Sequence, residues 1–175
     1  SQMGNSPSPS DLDANHAVPG FRFSRVGENF TLSDPPPPQQ AFGLEVGFAA
    51  LDEQGWKDLA ALEHLTALDL GFGGRRISDA DLKNLSKLKN LTWLKLDRSQ
   101  VTDAGVKELT NLKNLTALGL AYTGVTDEAL KEIAKMKHLI SLDLRYQKGL
   151  LSLENKQKRP EMKVTDAGLK HLAGM

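Results

Sequence analysis

Apolar residues recur along this chain in a fixed frame. From Val101 they follow at Val106, Leu109, Leu112, Leu115, Leu118 and Leu120. The same offsets from Ile77 give Leu82, Leu85, Leu88, Leu91, Leu94 and Leu96. From Val125 they give Leu130, Ile133, Met136, Leu139, Leu142 and Leu144, and from Leu51 they give Trp56, Leu59, Leu62, Leu65, Leu68 and Leu70. A fifth frame opens at Val164 with Leu169, Leu172 and Met175. In a chain that is 39% hydrophobic, chance fills four such frames with a probability of about 10⁻¹¹.

Each frame changes period halfway. Its first part has helical spacing, so those side chains share one helix face; its last two positions are two apart, as on one face of a strand. One unit is therefore a helix followed by a short strand. No unit can bury its own apolar face, but stacked units bury a continuous row. The pattern predicts an α/β right-handed solenoid. Short parallel strands about 4.8 Å apart line its concave face, and wider helices line its convex face. Leu44 and Val46 precede Leu51 as Leu118 and Leu120 precede Val125, which predicts a first strand at 43–47. Ser78-Asp79, Thr102-Asp103, Thr126-Asp127 and Thr165-Asp166 precede the helical halves. The hydroxyls are expected to cap orphan N–H groups, Ser78 with Asp81 as a capping box, and each following Asp to favour the positive end of its own helix.

The run Leu88-x-x-Leu91-x-x-Leu94-x-Leu96 resembles the leucine-rich-repeat family. Val101-Thr-Asp-Ala-Gly-Val-Lys-Glu-Leu109 is similar to a bacterial 24-residue subclass and to the cysteine-containing repeats of F-box adaptors, although cysteine is absent here. The resemblance covers residues 41–175 in about five units. It implies the solenoid and is nearly silent about ligand. The family's asparagine ladder after the strand is replaced by Ala49, Gly73, Ser99 and Thr123, of which only the last two can hydrogen-bond in that way.

Outside the frames, residues 1–20 are rich in Ser, Pro, Asp and Asn and read as a disordered tail or tag. Residues 21–40 read as an N-terminal cap and connector. Phe21-Arg22-Phe23 and Phe30-Thr31-Leu32 suggest a hairpin or extended segment, and Pro35–Pro38 a stiff spacer. The frame starts step by 26, 24, 24 and 39 residues, so extra residues fall between strand and helix. The insertion at 145–163 fits either a partner-binding flap or a makeshift cap over the last strand. The edge at Leu142–Leu144 is expected to be open, a route to self-association.

Charge and chemistry then narrow the function. Lys plus Arg and Asp plus Glu are both 22, and cysteine is absent. Zero net charge argues against a whole-surface attraction to nucleic acid or acidic membranes. No apolar run approaches the roughly 18 residues of a membrane span, and no signal-peptide pattern opens the sequence. Bacterial cytoplasm and export both fit a soluble domain of this kind. His64 and His138 share a frame position with Asn90 and Asn114, which points to a turn role; neither they nor His171 and His16 have a ligand-spaced companion. Gly71–Gly74 lacks the lysine of a phosphate loop. No catalytic residue, metal or cofactor is expected, and the reading is a non-enzymatic binding module.

Three columns are expected to face the concave side: Gly43, Ala67, Trp93, Ala117, Ser141; Glu45, Asp69, Lys95, Gly119, Asp143; and Gly47, Gly71, Asp97, Ala121, Arg145. Just beyond come Phe48, Phe72, Arg98, Tyr122 and Tyr146, four of five aromatic where the chain is 6% aromatic. Aromatic and Arg anchors dominate many interfaces. The expected partner-binding set is Phe48, Phe72, Trp93, Lys95, Asp97, Arg98, Tyr122, Arg145 and Tyr146. Its partner is expected to be a protein; a glycan stacking on the aromatic row is the alternative, and a purely structural role a third. The competing reading of the rings is that they stack on each other and seal the core.

Overall fold

The computed structural model describes residues 20–23 (backbone only), 41–46, 51–71, 77–146 and 162–174. Six strands form one sheet in chain order, every neighbouring pair parallel: β1 (Gly20–Phe23), β2 (Phe42–Val46), β3 (Leu65–Asp69), β4 (Trp93–Lys95), β5 (Ala117–Gly119) and β6 (Ser141–Asp143). Between them lie α1 (Glu53–Ala60), α2 (Asp79–Leu85), α3 (Asp103–Leu109) and α4 (Asp127–Ile133), followed by α5 (Asp166–Leu169) and a 3-10 turn at Lys170–Leu172. Each helix packs on the next. Strands lie about 4.8 Å apart and packed helices about 8–10 Å apart, so the strand layer is the inner side of the curve. This is the architecture of a leucine-rich-repeat solenoid.

The two central frames are buried at all seven positions. Burial fades outward: Leu51 and Leu62 at one end and Leu142, Leu144, Val164 and Leu172 at the other are only partly covered. Leu169, a frame position expected in the core, is 46% exposed, because no described element packs on its far side. Fully burying a leucine stabilises by about 1.5–3 kcal/mol, so the middle rungs contribute most.

The first predicted strand lies one residue earlier, at Phe42–Val46. The Phe21–Phe23 segment, with Gly20 added, forms a parallel strand whose Phe21 and Phe23 align with Leu44 and Val46. It extends the sheet by one rung beside β2, in keeping with the extended-segment form of the expected cap. Phe30–Leu32 and most of the insertion lie outside the described residues. At the far end of that insertion Met162 is buried, and the Lys163 N–H donates to Val125 O at 3.0 Å.

Candidate functional site

Side chains tie the rungs together before any of them faces a partner. Asp79 accepts from the Thr102 N–H (2.8 Å) and hydroxyl (2.6 Å) of the next unit. Asp103 accepts likewise from Thr126 (2.7 and 2.7 Å) and from the Ala129 N–H at 3.2 Å. Asp127 accepts from Thr165 at 2.8 and 2.7 Å. Those two bonds hold the Asp127 carboxyl below its ordinary range. The Thr-Asp pair was expected to serve its own helix. Thr126 and Thr165 do so, accepting from the Glu128 N–H (3.3 Å) and the Ala167 N–H (3.2 Å), while Thr102 makes no cap hydrogen bond. Asp79, Asp103 and Asp127 in addition reach forward to the next helix start. Ser78 does serve its own helix, its N–H donating to Asp81 at 2.8 Å. Gly105 follows from the same geometry: a Cβ there would overlap the Asp79 carboxylate and lie 2.7 Å from Leu82 Cδ1. Gly168 stands in the same relation to Asp127.

Two further ladders run along the strand starts. Thr66, Thr92 and Thr116 each donate a hydroxyl to a carbonyl of the preceding rung, at Phe42, Thr66 and Thr92. Asn90 and Asn114 donate to Glu63 O (2.7 Å) and Lys89 O (2.9 Å), the turn role expected of that frame position. The hydroxyls of Ser99 and Thr123 do not form the family's ladder. Ser99 accepts from Val101 N–H, and Thr123 donates to Leu120 O, each inside its own rung.

The first two columns form in the expected register. Gly43, Ala67, Trp93, Ala117 and Ser141 align across the sheet, as do Glu45, Asp69, Lys95, Gly119 and Asp143. Trp93 is half-buried between two alanines. Lys95 Nζ lies 3.3 Å from Asp69. The third column behaves differently. Asp97 is buried, where the alternation placed it on the open face. Its Oδ1 accepts from the Ala121 N–H at 3.0 Å. Burial pushes its carboxyl up against the pull of that bond and of Lys95. Gly119 makes room for it, since a Cβ there would lie 2.9 Å from Asp97 Oδ1. Asp97 therefore organises the loop. Arg145 is exposed and clasps Asp143 at 2.7 Å, which lowers the Asp143 carboxyl.

Just past the strands the Arg98 guanidinium sits 5.5 Å from the Tyr122 ring centre, and the Tyr122 and Tyr146 rings lie 6.3 Å apart at 46°. Arg98 and Tyr146 are exposed and Tyr122 half-exposed. Arg98 and Tyr122 share a frame position and both have positive φ, 61° and 58°. A left-handed conformation costs an ordinary L-residue about 1–2 kcal/mol. The repeated φ is the feature sequence reasoning missed, because neither Arg nor Tyr signals it. Phe48 and Phe72, the other expected members, lie outside the described residues.

Among the described residues no group of three His, Asp or Glu converges as a metal site, and no helix is long and apolar enough to cross a membrane. No protein family and no curated protein matches the chain. Solved structures do. An internalin, InlF, of Listeria monocytogenes is 20% identical over 76% of this chain and 46% of its own, with a TM-score of 0.43. Internalin C2 of the same organism is 22% identical over 71% and 61%, with a TM-score of 0.44. A leucine-rich-repeat protein of Leptospira interrogans is 19% identical over 84% and 52%, with a TM-score of 0.38. The chain spans about half the length of the solved chains it matches. The fold assignment rests on the repeat frame and the strand register.

Proposed function

We propose that this chain is a non-catalytic protein-interaction module whose partner lies across the inner strand face and the adjoining rim. The observation that carries this reading is the row Arg98–Tyr122–Tyr146. Two of its members occupy left-handed backbone where Gly or Asn would fit at lower cost, and their side chains stand at the surface. Local strain of this kind clusters at functional sites. The mutual stacking of the rings accounts for their order but not for their exposure. Trp93, Lys95 and Arg145 supply the adjoining anchor and charges.

The test uses the whole chain as bait, identifies captured protein by mass spectrometry, and measures its affinity for two variants. Trp93→Ala/Tyr122→Ala should weaken binding by about 30-fold or more, the scale of hot-spot loss. Arg98→Gly should weaken it while leaving the urea midpoint equal or higher, since glycine relieves the positive φ. Full binding by both folded variants would refute the strip. Binding only to glycans would favour the carbohydrate alternative.

A further inference from the structure

Parallel stacking of the helices also sorts charge. Every helix starts at one rim and ends at the other. The aspartates at the starting rim are taken up in capping: Asp52 accepts from Gly55 N–H, and Asp79, Asp103 and Asp127 hold the next unit's threonine. The opposite rim consists of the turns 60–64, 86–90, 110–114 and 134–138. They hold five exposed lysines, Lys87, Lys89, Lys113, Lys135 and Lys137, against one carboxylate, Glu63. Lys89, Lys113 and Lys137 occupy one frame position in successive units. Their ammonium groups rest on the carbonyls of Ser86 (2.6 Å), Thr110 (2.7 Å) and Ala134 (3.2 Å), at the ends of their own helices. Lys135 pairs with Glu132. Among the described residues the other four have no carboxylate within ion-pair reach. Open notches lie between the turns. One, of about 220 Å³, is lined by Lys113, Lys135 and Lys137, and another, of about 140 Å³, by Lys87 and Lys89. A neutral chain thus presents one rim of regularly repeated positive charge.

We propose that this lysine rim binds a linear anionic polysaccharide, with one negative group of the polymer per rung. The surface is distinct from the aromatic strip and independent of it. Among its described residues the rim has no Phe, Tyr or Trp, the usual stacking platforms of single-strand nucleic-acid sites, its rings being the imidazoles of His64 and His138, and it has no Arg for bidentate phosphate recognition. Lysine is a hydrated point charge on a flexible stem, suited to a polymer whose sulfate or carboxylate groups recur along a hydrated chain. Salt dependence follows, because each contact releases condensed counterions.

The test measures affinity for heparin (sulfated), polygalacturonate (carboxylated), neutral dextran and oligo-dT at 50 and 200 mM salt. Heparin or polygalacturonate should bind and dextran should not; which of the two binds identifies the anionic group. The triple variant Lys89→Gln/Lys113→Gln/Lys137→Gln should lose at least about tenfold, and its log–log salt slope should fall by about 2. Lys57→Gln/Lys107→Gln/Lys131→Gln, an equal loss of charge from the helix faces, should change binding less than about twofold. The charge-preserving triple Lys→Arg at 89, 113 and 137 should retain binding, which separates lost charge from lost fold. Absence of binding to both anionic polysaccharides, equal loss in the two Gln triples, or oligo-dT binding at least as tight would overturn the proposal.

Discussion

Asp97 is the residue where alternation and structure part. Strand period alone places it beside Lys95's row on the open face, but the chain turns immediately after β4 and folds its carboxylate inward onto the Ala121 N–H. A carboxyl raised by burial favours the folded state when protonated. Its stabilising effect is complete below the ordinary value of 3.8 and is lost as pH rises through the higher folded value. An amide can accept the same bond without the charge. Asp97→Asn should therefore match or exceed the parent at pH 7, by up to about 1 kcal/mol, and the gap should close below pH 4. Urea denaturation at both pH values checks this; a variant clearly weaker at pH 7 would show that the charge itself is needed.

At the scale of elements, helix and strand were legible because apolar spacing is a local property. Leu82 and Leu85 share a helix face and Leu94 and Leu96 a strand face whatever lies around them. The seam between elements was not legible. Asp103 and Thr126 are 23 residues apart, and only the stacking of units decides whether an Asp at a helix start turns to its own backbone or to the next rung. Gly105 carried a signal: glycine inside a helix is costly, and here it clears the Asp79 carboxylate. Asp103 serves three donors, so Asp103→Ala should cost about 1–3 kcal/mol, read as a lower urea midpoint. Asp166→Ala should cost little, since no hydrogen bond to the Asp166 side chain is described and its backbone carbonyl keeps the Lys170 N–H in either case. Equal losses would mean that the forward reach adds nothing beyond ordinary helix-start charge.

For the molecule as a whole, the frame predicted one parallel sheet of stacked units; the fading of the core toward the ends is a finding of the structure, and it follows because each unit contacts only its neighbours. Charge sorting was hidden by a net charge of zero; reading Glu63, Lys89, Lys113 and Lys137 down one frame position would have exposed it. Stability should follow coverage. Amide exchange should be slowest in α2, α3 and β4, whose leucines are fully buried, and faster in β6 and α5, by about 2 kcal/mol or more in protection. Uniform protection would mean that the array opens only as one unit.

The Asp127–Thr165 contact spans 38 residues where its two counterparts span 23, and its distances are the same to within about a tenth of an ångström. What a rung requires is the return of the chain to a fixed address, whatever path it takes between. Lengthening a loop is cheap, about 0.6 kcal/mol for each doubling. The seam after Tyr146 is therefore a natural splice port, where an evolving or engineered protein can house a whole foreign domain while the rungs on either side keep their grip.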